Sequence, residues 1–314
     1  MGTIFSVPLI SAAEVERAFP LSTAISSQRE AFAAFARGEA VMGSRGVITN
    51  GDDASFSYVA RSSPKAPTIV KFGSVTNSNT SLGIPAVHSY IAILNPTTGA
   101  LESFIDGESV TRIRTTAASM LAAQLLANNP KVITIIGAGI QGLAHAKAAM
   151  QLFSPDKIIF VARSSNQELQ KFCNQFSNSS LTNSSSDAVN ASDLIFVCTN
   201  SVTPVLTEKL RAGTTVISIG SFSPNREEVL GKLVSECDQI FADDASTAVN
   251  QNGSVIAAVQ RNPEVANKIK SLGSLINDPS SGRNNAEETI IYLSVGLGIQ
   301  DAAIVEKYLE LKSK

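Results

Sequence analysis

Residues 132–142 read Val-Ile-Thr-Ile-Ile-Gly-Ala-Gly-Ile-Gln-Gly, an apolar, β-branched run that leads into a glycine-rich turn. The run Val132–Ile136 is typical of a buried strand, and the turn has the spacing G-x-G-x-x-G. A helix is predicted directly afterwards, over Leu143–Phe153. Strand, glycine turn and helix in this order form the context in which the motif binds a dinucleotide.

Each glycine of this turn has a separate physical task. Gly137 permits the tight turn, Gly139 lets the backbone approach a pyrophosphate, and Gly142 lets the helix pack closely on the strand. The N–H groups and the positive potential at the start of the helix suit phosphate. We therefore predict that Gly137, Gly139, Ile140, Gln141 and Gly142 bind the cofactor.

Strands and helices alternate after this motif, which predicts a parallel sheet in an α/β domain of the Rossmann type. The further predicted strands are Lys157–Ala162, Asp193–Cys198, Thr214–Ile219 and Gln239–Phe241, with a helix at Asn166–Phe176. The Ser- and Asn-rich stretch Asn174–Asp187 is predicted as a polar surface connection. Two helices are predicted at Val255–Ser271 and Asn285–Leu311, the second interrupted near Gly296 and Gly298.

The N-terminal part, up to about residue 118, has the pattern of a sheet-rich α+β unit. Its predicted helices are Glu14–Phe19 and Thr23–Arg37, and its predicted strands are Val41–Thr49, Ser55–Val59, Thr68–Phe72, Val87–Leu94 and Leu101–Ile105. The stretch Asn95–Gly99 has the residues of a hairpin loop. A further helix is predicted over Thr115–Ala127.

The composition excludes several classes of protein. The formal net charge of −2 gives no basic face for nucleic acid, and no apolar run is long enough to span a membrane. Three cysteines lie far apart and only two histidines are present, so we expect neither a disulfide framework nor a metal site. The N-terminus does not have the pattern of a signal peptide. We expect a cytoplasmic protein with reduced thiols.

The end of the second Rossmann strand bears on the choice of cofactor. An acidic residue about 20 positions after the glycines would bind the ribose 2′-hydroxyl of NAD. The chain has Ala162-Arg163-Ser164-Ser165 there and no acid. Arg163 and Ser164 would suit a 2′-phosphate, so we predict NADPH as the cofactor, with NADH possible; the alternative is that Arg163 is an ordinary surface arginine.

Three basic residues of the first part, Arg45, Lys71 and Arg114, stand at strand ends or beside a helix start. From the pattern alone they are either surface charges or parts of an anion site.

The chain resembles the ornithine cyclodeaminase/μ-crystallin family over nearly its full length. The stretches that carry the likeness are Gly38…Val41…Arg45, Lys71 with Gly83-Ile84-Pro85, Thr98-Gly99…Asp106…Thr111…Arg114-Thr115…Ala117-Ala118, Gly137-Ala138-Gly139…Gln141, and Ser294-Val295-Gly296…Asp301. Together these stretches are specific, although none of them would suffice alone.

The resemblance implies a substrate-binding and dimerisation domain at residues 1–118, completed by the C-terminal helix at 291–314, and a Rossmann domain at 119–290. It implies that Arg45, Lys71 and Arg114 bind the α-carboxylate of the substrate. It places Thr115, Gln141 and Ser294 near the cofactor, and we add Thr199 and Ser221 to the predicted cofactor site. It also implies a homodimer.

One departure from the family pattern separates two activities. Cyclodeaminases of the family carry an aspartate in a G-x-D-x-P stretch, where this chain has Gly220-Ser221-Phe222-Ser223-Pro224. Phe222 cannot move protons as a carboxylate does, but it can contact an apolar ring. A shifted carboxylate is the alternative, and the candidates are Glu227, Glu228, Asp243 and Asp244.

A phenylalanine at this position looks like the Δ1-pyrroline-2-carboxylate/Δ1-piperideine-2-carboxylate reductase branch of the family. This resemblance implies an NAD(P)H-dependent reductase of cyclic α-imino acids, with one of these two compounds as substrate. Lys71 is the predicted proton donor, and Arg45, Arg114 and Phe222 are predicted to bind the substrate. The alternatives are an ornithine-type cyclodeaminase, an alanine-dehydrogenase-like enzyme, and a non-enzymatic protein that binds NADP and a small ligand as μ-crystallin does.

Overall fold

The structure, a computed structural model, describes residues 7–51 and 53–313. The chain forms two compact units. The N-terminal unit takes the residues up to Ala117 and again from Leu297 onward, and the central unit is Ala118–Gly296. Among the helices of the described residues, none combines the length and the apolar character that crossing a bilayer requires.

The elements are numbered here in chain order. The strands are β1 Leu9–Ile10, β2 Val41–Met42, β3 Gly46–Asn50, β4 Asp53–Arg61, β5 Thr68–Val75, β6 Val87–Leu94, β7 Leu101–Asp106, β8 Val132–Ile136, β9 Lys157–Val161, β10 Ser179–Thr182, β11 Leu194–Val197, β12 Thr215–Ser218, β13 Gln239–Ala242, β14 Ile269–Ser271 and β15 Ile290–Leu293. The α-helices are α1 Ala12–Ala18, α2 Leu21–Ala36, α3 Gly107–Leu126, α4 Ile140–Phe153, α5 Gln167–Gln175, α6 Ser185–Ala191, α7 Gly231–Glu236, α8 Ala245–Gln251, α9 Gly253–Arg261, α10 Val265–Lys268, α11 Leu272–Asn277 and α12 Gly298–Lys312. Two short 3₁₀ helices cover Asn77–Leu82 and Pro279–Ser281.

The N-terminal unit is built on a mixed sheet with the strand order β1-β7-β6-β5-β4-β2, and β3 also pairs with β4. All of its pairs are antiparallel except that of β1 with β7. Tyr58, Lys71, Ile91 and Ile105 stand in register across four strands and are buried on the same face. Helices α2 and α12 pack together, and α12 packs on β4. A charged residue, Lys71, therefore lies in a buried row of the sheet.

The central unit is built on an eight-stranded sheet with the order β10-β9-β8-β11-β12-β15-β13-β14. Every pair is parallel. The chain runs from β8 outward to β9 and β10, then returns to β11 on the other side of β8. The strand order therefore reverses beside β8, where an open parallel sheet binds its ligand. The predicted α/β fold with a Rossmann-type sheet is confirmed.

Five sequence predictions about elements are wrong. The predicted strand Val41–Thr49 is interrupted after Met42 and resumes as β3 at Gly46. The predicted helix Thr115–Ala127 begins eight residues earlier, at Gly107, because Asp106 accepts a hydrogen bond from the N–H of Ser109 at 2.7 Å and starts the helix there. Arg114 therefore lies inside α3 and not before it.

The polar stretch Asn174–Asp187 contains β10 and the start of α6. Among the described strands β10 pairs with β9 alone, and an edge strand of this kind tolerates polar residues. The predicted helix Val255–Ser271 breaks after Arg261, before Asn262-Pro263, and its last residues form β14. The predicted helix Asn285–Leu311 contains β15, a buried strand between β12 and β13. A four-residue apolar run carries no periodicity that separates strand from helix.

Candidate active site

The predicted cofactor residues of the central unit meet at one edge of its sheet. Gly137 follows β8, Arg163 lies two residues beyond β9, Thr199 two beyond β11, Ser221 three beyond β12, and Ser294 follows β15. Because all these strands are parallel, their carboxyl ends lie at the same edge. The sheet thus gathers loops that are up to 157 positions apart in the chain onto the side where such folds bind nucleotides.

The glycine loop between β8 and α4 is shaped by close backbone approaches. Gly137 has a φ of 106°, and a Cβ there would lie 2.5 Å from the carbonyl oxygen of Cys198. A Cβ on Gly142 would clash with the carbonyl oxygen of Gly137. A Cβ on Gly139, in contrast, would meet no atom within 4 Å. The loop is therefore tight on the protein side and open at Gly139.

The start of α4 fits the pyrophosphate of a dinucleotide. Gly139 is the N-cap and has no side chain that could occupy the first N–H groups of the helix, which lack intrahelical partners. The side-chain Oε1 of Gln141 is buried and accepts no hydrogen bond from the residues that the structure describes. Ile140 is exposed. An open glycine, free donors and an orphaned polar atom together form a cradle for an anionic ligand.

The segment after β9 is joined to this loop. Arg163 and Ser164 are both exposed. Asn166 donates a hydrogen bond from Nδ2 to the carbonyl oxygen of Ala138 at 2.8 Å, and its Oδ1 accepts one from the N–H of Leu169 at 2.8 Å. The same side chain thus caps α5 and fastens the segment that carries Arg163 and Ser164 to the glycine loop.

A buried carboxylate fastens the loops after β11 and β12. Glu228 Oε1 accepts hydrogen bonds from the N–H and the hydroxyl of Thr199, both at 2.6 Å. Its Oε2 accepts from the Ser218 hydroxyl at 3.0 Å and from the N–H of Gly220. The N–H of Glu228 donates to the Ser221 hydroxyl at 2.9 Å. Burial raises the pKa of Glu228, and these hydrogen bonds only partly offset it. Thr199 and Ser221 are therefore held by one acidic residue.

A second buried carboxylate holds the loop after β15. Asp243 Oδ2 accepts hydrogen bonds from the Ser294 hydroxyl at 3.1 Å and from the N–H groups of Val295 and Gly296 at 2.8 and 2.7 Å. Gly296 has a φ of 85°, a conformation that favours glycine. Burial raises the pKa of Asp243, against the lowering effect of these bonds. The predicted cofactor residue Ser294 is thus held by a side chain that lies one residue beyond β13, the neighbouring strand of the sheet.

In the N-terminal unit, two of the predicted basic residues share one carboxylate. Lys71 Nζ donates a hydrogen bond to Asp301 Oδ1 at 2.8 Å, and Arg114 Nε lies 3.7 Å from the same oxygen. Tyr58 donates from its hydroxyl to Asp301 Oδ2 at 2.7 Å. Lys71 Nζ also donates to the hydroxyl of Thr111. The group Tyr58, Lys71, Thr111, Arg114 and Asp301, called the basic cluster below, holds more positive than negative charge.

The basic cluster is largely buried, and burial changes its electrostatics. Burial lowers the pKa of Lys71, the charge of Asp301 raises it, and the charges of Arg114 and Arg45 lower it again, with a net lowering. Burial raises the pKa of Asp301, but the charges of Lys71 and Arg114 outweigh burial and the net change is a lowering. Lys71 is therefore an ammonium that gives up its proton more readily than a lysine in water.

The remaining predicted residues have less constrained surroundings. Arg45 lies over the ring of Tyr58, with its guanidinium carbon 5.5 Å from the ring centroid, so it borders the basic cluster. Thr115 is buried on α3, next to Arg114. Phe222 is 38% exposed, and the guanidinium of Arg226 lies 4.8 Å from its ring centroid.

The sequence does not mark three members of the basic cluster as functional residues. Asp301 and Thr111 appear only as matching residues of the family stretches, and Tyr58 stands in no motif. Asp301 is fully buried in the first turn of α12, where an unpaired carboxylate would be costly. The available signal was a lysine inside an apolar strand, Thr68–Val75, because a buried ammonium requires an acidic partner.

The chain is similar in sequence to proteins of known activity. A family model described as "Ornithine cyclodeaminase/mu-crystallin family" matches residues 7–311. The chain is 29% identical over 250 residues to the Delta(1)-pyrroline-2-carboxylate reductase of Bacillus thuringiensis subsp. konkukian, covering 78% of this chain and 77% of that protein. It is 26% identical over 307 residues to the Delta(1)-pyrroline-2-carboxylate/Delta(1)-piperideine-2-carboxylate reductase of Azospirillum brasilense, covering 96% and 95%.

A solved structure is similar over the whole chain. It is the Delta(1)-pyrroline-2-carboxylate reductase of Thermococcus litoralis in complex with NADH and L-proline, with a TM-score of 0.89 and 25% sequence identity. The match covers 98% of each chain.

Proposed function

The chain belongs to the ornithine cyclodeaminase/mu-crystallin family, and we propose that it is an NAD(P)H-dependent reductase of cyclic α-imino acids. The reaction would convert Δ1-pyrroline-2-carboxylate to L-proline, or Δ1-piperideine-2-carboxylate to L-pipecolate. The observation that carries this proposal is the basic cluster, where Lys71 and Arg114 share the single carboxylate of Asp301. Relatives named for these two activities support it.

We assign the substrate carboxylate to Arg45 and Arg114, with Lys71 beside them. Two cations on one carboxylate leave an excess of positive charge, which an anionic substrate would balance. Arg114 is only 11% exposed, so its attraction for an anion is weakly screened by water. A guanidinium is also suited to grip a carboxylate through two parallel hydrogen bonds.

We assign the proton of the reaction to Lys71. Its ammonium would protonate the imine nitrogen of the substrate, which makes the adjacent carbon electrophilic, and the lysine would recover a proton from water. The nicotinamide cofactor, when bound, supplies the hydride that this carbon accepts. The chain itself contributes orientation, charge and a dry environment for proton transfer.

The cofactor residues we propose are those at the carboxyl edge of the central sheet, together with Thr115. Gly137, Gly139, Ile140, Gln141 and Gly142 would hold the pyrophosphate. Arg163 and Ser164 would receive a 2′-phosphate, which favours NADPH over NADH. Thr199, Ser221 and Ser294 would line the rest of the cofactor site, in loops that Glu228 and Asp243 hold in place.

A reductase is favoured over a cyclodeaminase because the carboxylates near Phe222 already have partners. Glu228 and Asp243 are buried and bind the loops described above. Glu227 accepts a hydrogen bond from the N–H of Gly231 at 2.7 Å, and Asp244 caps α8. Glu228 and Asp243 therefore lack the open position that moving protons on a substrate would need. Phe222 itself would offer an apolar contact to the substrate ring.

One screen of turnover tests the proposal against its rivals. The first assay follows oxidation of NADPH and of NADH with three substrates: pyrroline-2-carboxylate, piperideine-2-carboxylate, and pyruvate plus ammonia. A parallel assay measures ammonia release from ornithine. The reductase consumes cofactor with a cyclic imine. An alanine-dehydrogenase-like enzyme responds to pyruvate plus ammonia, a cyclodeaminase releases ammonia without net cofactor change, and a binding protein does none of these.

We also propose that the N-terminal unit binds the substrate and forms a homodimer, as in the family it resembles. The face of its sheet opposite Lys71 carries Val59, Phe72 and Tyr90, which are 45%, 39% and 42% exposed. The ring centroids of Phe72 and Tyr90 lie 6.1 Å apart. A patch of this kind is typical of an interface. Light scattering that gives a monomeric mass at micromolar concentration would remove the dimer.

A further inference from the structure

The head group of Lys71 is held from two sides. Its Nζ donates one hydrogen bond to Asp301 Oδ1 at 2.8 Å and one to the hydroxyl of Thr111. Thr111 in turn donates to the carbonyl oxygen of Gly107 at 2.6 Å, so its hydroxyl is oriented to accept from Lys71. An ammonium has three protons. Two acceptors within the described residues therefore leave one proton of Lys71 for another acceptor, in a direction that the other two bonds fix.

Asp301 is itself fixed by the residues around it. Its second oxygen accepts from the Tyr58 hydroxyl at 2.7 Å, and Arg114 Nε lies 3.7 Å from its first oxygen. Its neighbour Gln300 accepts hydrogen bonds from Arg114 Nη1 at 3.3 Å and from the N–H of Leu297 at 2.7 Å. The first turn of α12 is thereby locked to α3 and β4, although it lies 230 positions after Lys71 in the sequence.

We propose that Asp301 is the positioning residue of the reaction: it keeps Lys71 in its ammonium form and, with Thr111, aims the third proton of that ammonium at the imine nitrogen of the substrate. This inference rests on the proposed reductase function and assigns a task to the C-terminal helix within it. The step is balanced, since the Nζ–H bond of Lys71 breaks, the imine gains that proton, and neutral Lys71 regains a proton from water. Asp301 remains a carboxylate throughout.

The charged and titratable groups that face Lys71 come from every element packed around it. They are Tyr58 on β4, Arg114 on α3, Asp301 on α12, and Arg45 before β3. Of the charged groups named here, Asp301 is the negative one. Burial and the two arginines all lower the pKa of Lys71, and Asp301 raises it. Without Asp301, Lys71 would therefore lose its proton at a lower pH.

The test is the pH profile of kcat/KM for cyclic imine reduction in Asp301→Asn and Asp301→Glu. The first removes the charge, so the alkaline limb moves to lower pH and kcat falls about 100-fold, the scale of a misplaced donor. The second keeps the charge but displaces it, so kcat falls while the limb stays near its wild-type position. If the Asp301→Asn variant keeps reductase activity and the alkaline limb of its kcat/KM profile does not move, the inference is overturned.

The matched control is Glu39→Gln, which removes an exposed carboxylate of the same unit that pairs with Arg37 at 2.6 Å. This variant should leave the alkaline limb of the kcat/KM profile unchanged. If Asp301→Asn is too unstable to assay, the double-mutant cycle with Lys71→Met is measured by urea unfolding without substrate. The cost of Asp301→Asn should be smaller in the Lys71→Met background, and additive costs overturn the pairing. A wild-type protein that reduces no cyclic imine overturns the proposed function instead, so the two failures are distinct.

Discussion

Replacing Arg114 by alanine removes one of the two cations that share Asp301. In the structure, Arg114 Nε lies 3.7 Å from Asp301 Oδ1, and its Nη1 donates to Gln300 at 3.3 Å. Lys71 and Tyr58 keep their own bonds to Asp301, so the carboxylate remains paired after the substitution. The variant is therefore expected to fold, and its first defect is in the binding of an anionic substrate.

The size of the defect follows from the burial of Arg114. A hydrogen bond to a charged group contributes about 1.5–3 kcal/mol, and each 1.36 kcal/mol is tenfold in rate. Arg114 is only 11% exposed, so solvent screening does not reduce this range much. The expected loss in kcat/KM is thus roughly 10- to 150-fold. Binding of NADPH should be largely unaffected, because the glycine loop does not include this residue.

The same substitution has a second effect on the pH profile. The charge of Arg114 is one of the causes that lower the pKa of Lys71, after burial and against Asp301. Removing that charge raises the pKa of Lys71, so the alkaline limb of kcat/KM moves to higher pH. This direction is opposite to that expected for Asp301→Asn, and a general loss of structure would not produce both shifts.

The assay is steady-state cofactor oxidation with a cyclic imine, from neutral to alkaline pH. The control is Arg112→Ala on the same helix, where Arg112 pairs with the surface residue Glu16, and its activity should stay close to wild type. Near-wild-type kcat/KM in Arg114→Ala would show that Arg114 does not bind the substrate carboxylate. A limb that moves to lower pH would show that its charge does not act on Lys71.

Three further predictions use other parts of the chain. Arg163→Asp should reverse or flatten a preference for NADPH in kcat/KM, and an enzyme that prefers NADH and ignores this change contradicts the assignment of Arg163. Phe222→Ala should weaken imine reduction by at most about 3 kcal/mol, the scale of one aromatic contact. The unmodified protein should release no ammonia from ornithine, and robust release would favour the cyclodeaminase. Burial lowers the pKa of His145 from 6.5 to about 4, so the unfolded chain binds more protons between these values and stability falls as pH falls through them. In urea unfolding, the free energy of unfolding of His145→Leu should fall by about 3 kcal/mol less than that of the wild type over this pH range. An equal pH dependence of the unfolding free energy in both proteins would contradict the prediction.

The sequence determined the features that local patterns encode. The run Val132–Ile136 and the glycines after it predict strand, turn and helix because each is set by neighbouring residues. The strand Val87–Leu94 was predicted with the bounds that it has in the structure, because β-branched residues and turn residues mark it on both sides. The same local reading missed β10 and β15, whose strand character depends on the neighbours they pair with.

The roles of Arg45, Lys71 and Arg114 had to come from family resemblance, because a single basic residue in a sequence does not reveal what surrounds it. Only the tertiary structure decided that Lys71 and Asp301, 230 positions apart, form a buried pair, and that Tyr58 and Thr111 complete it. The physical reason is that charge pairing depends on distance in space, and burial by α2, α12 and the sheet makes that pairing obligatory. The sequence thus predicts where a nucleotide would bind, and the fold determines which charges act together.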